Sequence, residues 1–301
     1  MPTSTVAAPS TGAPADGRPA EIVLAAVGVT LRYGSVTALD DVSFTVRAGE
    51  VVALVGPNGA GKTSLFNCVS AFSRPGAGTL TFGDLDLTRA TKHAVARAGI
   101  GRTFQNLSLF PGSTVMENVL VGRHSRMRAS LPANLGLWRR SRREDVAHRE
   151  AVAEVLDLLG LLDLRDTEVG GLPYGTRKRV ELARALALEP TLLLLDEPVA
   201  GMNPSETAEL TEIIRTVRDQ RDLAVLVVEH DMAMVMEVAD QITVLDFGQV
   251  IAQGTPSVIR NDERVREAYL GNSLARDETD TPPDTGPAPT ADAAARRTEE
   301  A

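Results

Sequence analysis

Three glycines, a lysine and two hydroxyl residues fall within nine positions: Gly56-Pro57-Asn58-Gly59-Ala60-Gly61-Lys62-Thr63-Ser64. In the form G-x-x-x-x-G-K-[ST], glycines let the backbone wrap close to phosphate oxygens and successive N–H groups point inward. The lysine adds a point charge for the β- and γ-phosphates. Thr63 then offers its hydroxyl to Mg²⁺. The β-branched run ahead of Gly56 reads as a buried strand, and Leu65, Phe66 and Val69 read as the apolar stripe of a helix. A chance match at the head of an ordinary helix would lack that context, so the spacing predicts a nucleotide site.

Two later segments end in residues suited to work beside it. The run Leu192-Leu193-Leu194-Leu195-Asp196-Glu197 puts two carboxylates at the carboxyl end of an apolar strand, the edge where open α/β sheets bind ligands. Asp196 is the expected partner of Mg²⁺, and Glu197 the expected residue that orients and deprotonates an attacking water. The run Val227-Val228-Glu229-His230-Asp231 brings His230 to the same edge. Alone, such a histidine reads as a surface or capping residue; next to a phosphate loop and paired carboxylates it reads as part of the site.

These groups must be positioned by an alternation of strands and helices over residues 22–272. Residues 23–31 and 42–46 read as strands of an antiparallel layer ahead of the phosphate loop, and 80–87 as its continuation. From residue 146 the period turns helical, with Val152, Val155, Leu156 and Leu159 on one face. Between the apolar strands 192–195 and 224–228 a helix is expected to start at Asn203-Pro204, with Glu206 completing a capping box and Leu210, Ile213, Ile214 and Val217 facing inward. No internal repeat is visible.

With 301 residues, 43% of them apolar, the chain has ample material for a core. Its net charge of −9 argues against a nucleic-acid partner, because phosphate backbones are gripped by clustered Lys and Arg. Seven acids and three arginines lie in a Pro/Thr/Ala/Asp tail over 273–301, which is expected to be disordered, as is the Ala/Pro/Ser/Thr-rich start over 1–21. That start has no basic-then-apolar pattern and does not read as a secretory signal. No apolar run is long enough to cross a bilayer. The single cysteine, Cys68, excludes an internal disulfide, fits a reducing cytoplasm and is expected to pack in the core.

In their order along the chain, the phosphate loop, Gln105 in Arg102-Thr103-Phe104-Gln105-Asn106, Leu172-Pro173-Tyr174-Gly175, Leu192 through Pro198, Ala200-Gly201-Met202-Asn203 and His230 resemble the ATP-binding-cassette (ABC) ATPases. Finer details are similar to the branched-chain amino acid importer subgroup: Gly101 through Asn106, Glu117-Asn118-Val119, Gly254-Thr255-Pro256 and Glu267-Ala268-Tyr269-Leu270-Gly271. The resemblance implies an α/β fold, a P-loop ABC ATPase core with an antiparallel β subdomain and an inserted α-helical subdomain at about 106–176. It implies ATP and Mg²⁺ as cofactors and ATP hydrolysis coupled to transport. The implied partners are integral-membrane permeases, a second ABC ATPase subunit in a homo- or heterodimer and, indirectly, a substrate-binding protein. The chain would lie peripherally on the cytoplasmic face of the cell membrane. Urea or amide uptake, lipopolysaccharide export and a nucleotide-binding regulator that does not hydrolyse stay open as alternatives.

Residue by residue, the resemblance implies that Tyr33 stacks on adenine and that Gln105 approaches both Mg²⁺ and the attacking water. His230 would contact the γ-phosphate. The segment containing Tyr174, Gly175 and Thr176 would close over ATP held by the opposite subunit. That segment departs from the family, with Pro173 for serine, Tyr174 for the first glycine and Thr176 for glutamine. Gly175 and the positive end of a helix expected to begin near Thr176 remain as the anion-binding features. Residues 123–149 hold eight arginines against two acids. A solvated helical face explains this run, and contact with anionic lipid headgroups is the specific alternative.

Overall fold

The computed structural model describes residues 21–104, 107–126 and 138–269. Expectations that concern the two tails, Gln105 and the side chains of Arg139, Arg140, Arg142 and Arg143 lie outside the described residues. In chain order the elements are β1 (Ile22–Tyr33), β2 (Val36–Arg47), β3 (Val51–Val55), α1 (Lys62–Val69), β4 (Ala77–Phe82), β5 (Leu85–Asp86), α2 (Lys92–Ala98) and β6 (Ile100–Arg102). The second half has α3 (Val115–Leu120), α4 (Trp138–Leu158), α5 (Tyr174–Leu186), β7 (Leu192–Asp196), α6 (Pro204–Arg221), β8 (Ala224–Val228), α7 (Met232–Val238), β9 (Gln241–Asp246), β10 (Gln249–Gly254) and α8 (Pro256–Arg260).

A six-stranded sheet in the order β10-β9-β3-β8-β7-β6 forms the centre. Within it β9, β3, β8, β7 and β6 run parallel, and β10 pairs antiparallel on β9. Its strands β3, β8 and β7 are buried on both faces, and the period of two assigns successive residues to different cores. Val51, Ala53 and Val55 of β3, Leu193 and Leu195 of β7, and Val225 and Val227 of β8 pack with helices α3 to α7. Val52 and Leu54, Leu192 and Leu194, and Leu226 and Val228 pack on the other side with α1 and the antiparallel sheet β2-β1-β4-β5.

Several expected boundaries move for identifiable reasons. The strand expected at 42–46 begins at Val36, with Asp41 at φ +54° carried within it where the pairing with β1 is irregular. The segment 80–87 is split into β4 and the two-residue β5. α4 starts at Trp138, eight residues ahead of the apolar period. α5 begins at Tyr174, two residues ahead of Thr176; Pro173 is its N-cap, and the Pro173 carbonyl accepts from Arg177 N–H at 3.0 Å. In α6 the capping box forms as expected and Ile213 packs half-buried on the core, while Thr211 is buried beside it, its hydroxyl donating to the Thr207 carbonyl at 2.7 Å.

The arginine-rich run is partly structural. Arg123 is buried, with Nε donating to His148 Nδ1 at 2.8 Å and Nη1 to the Ala187 carbonyl at 3.0 Å and Glu189 at 2.8 Å. Arg126 reaches the Leu188 carbonyl at 2.5 Å and Glu189 at 2.9 Å. For Arg123 the solvated face and the lipid contact are both corrected, while Arg126 keeps an exposed side chain; both guanidinium groups close the C-terminal end of α5, where helix carbonyls lack intrahelical donors. Cys68 is fully buried, as expected, and burial pushes its thiol up to about 11.

Residues 110–114 are held by Asn118, itself fully buried on α3. Its Oδ1 accepts from Phe110 N–H at 2.7 Å, and its Nδ2 faces the carbonyls of Phe110, Ser113 and Thr114 at 3.0–3.3 Å. Asn118→Leu keeps the branched shape and leaves the Phe110 N–H without its partner, while the carbonyls of Phe110, Ser113 and Thr114 keep the backbone donors Ser113, Val169 and Asn118. It should lower unfolding free energy by about 1–3 kcal/mol in urea denaturation; a variant as stable as the parent would show that the clamp contributes nothing.

Candidate functional site

The carboxyl ends of β3, β8 and β7 lie side by side, because Leu54 is in register with Val228 and Val228 with Asp196. The next residues on each strand are therefore brought together: the loop from Gly56, the pair Glu229-His230, and Glu197. A hydrogen bond from Glu197 N–H to the Val228 carbonyl at 2.9 Å ties two of these ends. Glu197 has φ +48°, a left-handed conformation that costs a non-glycine residue about 1 kcal/mol or more and is retained where surrounding structure over-determines it.

The phosphate loop returns from β3 into α1 over a close approach. A Cβ on Gly56 would lie 2.1 Å from the Leu245 carbonyl oxygen, so no side chain fits. Gly61, at φ +103°, is the N-cap of α1 and supplies no side-chain acceptor, which leaves the first-turn N–H groups without a side-chain cap. Lys62 is buried, and its ammonium donates to the carbonyls of Gly56 at 2.5 Å and Pro57 at 2.8 Å. Burial lowers its pKa, with the Glu197 carboxylate acting in the opposite direction, so loop lysine and strand-end acid share one electrostatic environment. Asn58, Gly59 and Thr63 are exposed, Ser64 is half-buried, and Pro57 and Ala60 are buried.

Asp196 is nearly buried and held by two neighbours on β6 and just beyond. Arg102 Nη2 lies 2.9 Å from its Oδ2, and Thr103 Oγ1 accepts its backbone N–H at 3.2 Å. Hard oxygen donors such as the Asp196 carboxylate and Thr63 hydroxyl suit Mg²⁺, which is bound by one or two protein ligands together with substrate phosphates. Among the described residues there is no cluster of three or more His, Cys, Asp and Glu side chains that could hold a metal unaided.

His230 is mostly exposed, its Nδ1 3.7 Å from Glu229 Oε2. Glu229 itself was missed in the sequence. It is fully buried and accepts N–H bonds from Val199, His230 and Asp231 at 3.0–3.3 Å. Burial raises its pKa, and those three N–H bonds pull it back down. It thereby fixes the loop after Glu197 to the loop carrying His230. A polar residue ending an apolar strand was the available signal, and it pointed equally to the histidine.

Tyr33 ends β1 half-exposed, with its hydroxyl 2.8 Å from Ser73 Oγ, beyond the C-terminal end of α1. Tyr174 is half-exposed; its hydroxyl donates to the Ala200 carbonyl at 3.2 Å, and its ring lies over the place a Cβ on Gly201 would fill. Gly175 is buried against α6, where a Cβ would come within 2.6 Å of Glu206 Oε1, and Thr176 is half-buried. The segment 172–176 thus rests on the loop after Glu197 in its own chain.

A P-loop between a buried parallel strand and a helix, with a carboxylate pair and a histidine on adjacent strand ends, defines a P-loop nucleotide-binding protein. Residues 39–200 match the family model described as ABC transporter, and residues 249–275 match that described as branched-chain amino acid ATP-binding cassette transporter. The chain belongs to the ABC transporter family. It is 40% identical to the high-affinity branched-chain amino acid transport ATP-binding protein LivG of Salmonella typhimurium, an alignment covering 83% of this chain and 98% of that protein. With LptB of Escherichia coli K12, the lipopolysaccharide export system ATP-binding protein, identity is 37% over the same shares. A solved ATP-binding cassette of an ABC transporter, in its ADP conformation, superposes with TM-score 0.73 at 28% identity, covering 83% of this chain and 99% of that one.

The contact between Gly175 and Glu206 generates a test within one chain. Glu206 is half of the capping box of α6, accepting Asn203 N–H at 3.0 Å. Gly175→Ala should displace that carboxylate and cost about 1 kcal/mol, whereas in a Glu206→Ala background the same substitution should cost less than about half as much. Equal costs in both backgrounds, read from urea curves, would show that Glu206 does not impose the glycine.

Proposed function

We propose that this chain is the ATP-binding and ATP-hydrolysing subunit of an importer for branched-chain or related amino acids. The observation that carries the hydrolytic half is the convergence of the Lys62 loop, Asp196-Glu197 and Glu229-His230 on three adjacent strand ends. The similarity to LivG and the match over 249–275 support the substrate class. LptB, at 37% identity, is the more distant of the two kinds of relative.

In this reading the loop N–H groups and Lys62 hold the triphosphate, with Gly56 through Ser64 lining it and Tyr33 against adenine. Thr63, Asp196 and Gln105 would hold Mg²⁺, which when bound neutralises phosphate charge. Glu197 accepts the proton of the attacking water, and its fixed backbone aims that carboxylate without reorganisation. His230, steadied by Glu229, contacts the γ-phosphate. The segment with Tyr174, Gly175 and Thr176 offers the N-terminal N–H groups of α5 to ATP on a second cassette, so two chains close over two nucleotides. Closing and parting of the pair would drive membrane permeases from the cytoplasmic face, where the chain would sit as a peripheral subunit fed indirectly by a substrate-binding protein. No helix among the described residues is long and apolar enough to cross a membrane. The helical layer between β6 and α5, about 106–176, would form the subdomain that moves against the core.

Glu197→Gln keeps the side-chain shape and removes the base. It should slow steady-state phosphate release by about a hundredfold or more while ATP affinity stays near the parent's. Undiminished turnover would remove Glu197 from the role. Turnover of the parent assembled with its permeases, stimulated by branched-chain amino acid uptake, distinguishes the importer from an exporter or a regulator.

Lys62→Ala should abolish ATP-induced thermal stabilisation at millimolar ATP, since a ligand stabilises only in proportion to its binding. Its own loop carbonyls at Gly56 and Pro57 would turn to water, so the protein alone should melt within a few degrees of the parent. A retained ATP-dependent shift in melting temperature would contradict the phosphate assignment.

A further inference from the structure

Arg102 is a largely but not fully buried cation to which the sequence assigns no task. Its planar fork spans two elements: Nη2 bonds Asp196 Oδ2 at 2.9 Å, while Nη1 bonds Asn67 Oδ1 at 3.1 Å and Ser70 Oγ at 2.7 Å. The guanidinium also lies 5.2–5.6 Å from the ring centroids of Phe66, Phe72 and Phe104. Those rings limit its rotation and its hydration.

Asn67 stands four residues after Thr63 on α1, so the two share a helix face. Arg102 thus connects the strand end bearing Asp196 to the helix bearing Thr63. The backbone of Asp196 is already fixed by its N–H bond to Thr103 Oγ1 at 3.2 Å. What remains free is the carboxylate torsion, which is broad and close to two-fold in isolation. Binding Oδ2 sets that torsion and therefore the direction in which Oδ1 points.

We propose that Arg102 is a positioning residue for the magnesium site, holding the Asp196 carboxylate and the Thr63 helix in one mutual arrangement. The proposal rests on the assignment of Asp196 and Thr63 as magnesium partners. A structural ion pair alone would need only one positive charge. The arrangement here needs a rigid fork with separate donors for carboxylate and helix, which lysine cannot supply.

The test measures ATP binding to the full chain by equilibrium dialysis, first in EDTA and then across a MgCl₂ titration. In Arg102→Met, affinity in EDTA should stay within about twofold of the parent, while the Mg²⁺ concentration giving half of the metal-dependent tightening should rise about tenfold. Arg102→Lys should resemble the methionine variant, because charge without the fork does not restore the two-element hold. An Arg102→Met midpoint equal to the parent's, or full recovery by lysine, would overturn the proposal. If Arg102→Met fails to fold, Asn67→Ala combined with Ser70→Ala decides. That pair cuts only the helix arm and should raise the midpoint in the same direction by about threefold; an unchanged midpoint there would overturn it. Asp196→Asn in the parallel titration keeps the two readings apart. If it retains the parent's metal-dependent tightening, the magnesium assignment itself fails, whereas loss of tightening with Arg102 variants unaffected rejects the positioning role alone.

Discussion

Double-sided burial of the parallel sheet is the constraint from which the site follows. Every side chain of β3, β7 and β8 is buried, alternate residues going to the helical core and to the core under the antiparallel sheet. Such strands have no solvated face on which to place a reactive group. Chemistry is confined to the positions where the strands stop, and parallel pairing in register makes β3, β8 and β7 stop together. The same hydrogen bonds that complete the ladder therefore assemble the phosphate loop, the carboxylates and the histidine.

Ending polar residues in so apolar a setting creates a charge problem, and the molecule meets it with directed partners. Asp196 is matched by the Arg102 fork, Glu229 by three backbone N–H groups, and Glu181 of α5 by the Phe104 N–H at 3.1 Å. Burial raises the pKa of both Glu229 and Glu181 despite these bonds. Each partner also joins separate segments: Glu229 links the loops after β7 and β8, and Glu181 links α5 to the residue before Gln105. Compensation of buried charge and connection of separate loops are thus the same set of contacts.

The phosphate loop, both apolar strand ends and the α6 capping box were legible in the sequence because each is a local rule. Glycine spacing, a period of two and an Asn-Pro-x-Glu start need no knowledge of distant residues. What escaped was set by long-range pairing. Arg102 reads as one more basic residue until β6 is laid beside β7, and Arg123 reads as part of a solvated run until α5 ends against it. Asn118 and Glu229 sit at ordinary-looking positions, and only their burial reveals the backbone groups they satisfy. Periodicity placed the start of α4 late, since its first turns carry arginines in place of an apolar stripe.

The segment at 172–176 shows how a departure in sequence acquires a physical cause. Tyr174 and Gly175 are adjacent, yet each is fixed by a different part of the stretch running from β7 into α6. The phenol bonds the Ala200 carbonyl and covers Gly201, which has φ +79°, while Gly175 makes room for the Glu206 cap. A smaller residue at 174 would leave the Ala200 carbonyl to water and uncover that turn. Any side chain at 175 would press on the cap of α6. These contacts tie the α5 N-terminus to the loop following Glu197 and to the start of α6. A shift of α5 relative to the sheet would therefore strain the residues beside Glu197, and the Tyr-Gly pair is explained by what it touches within the chain as well as by what it could offer across an interface.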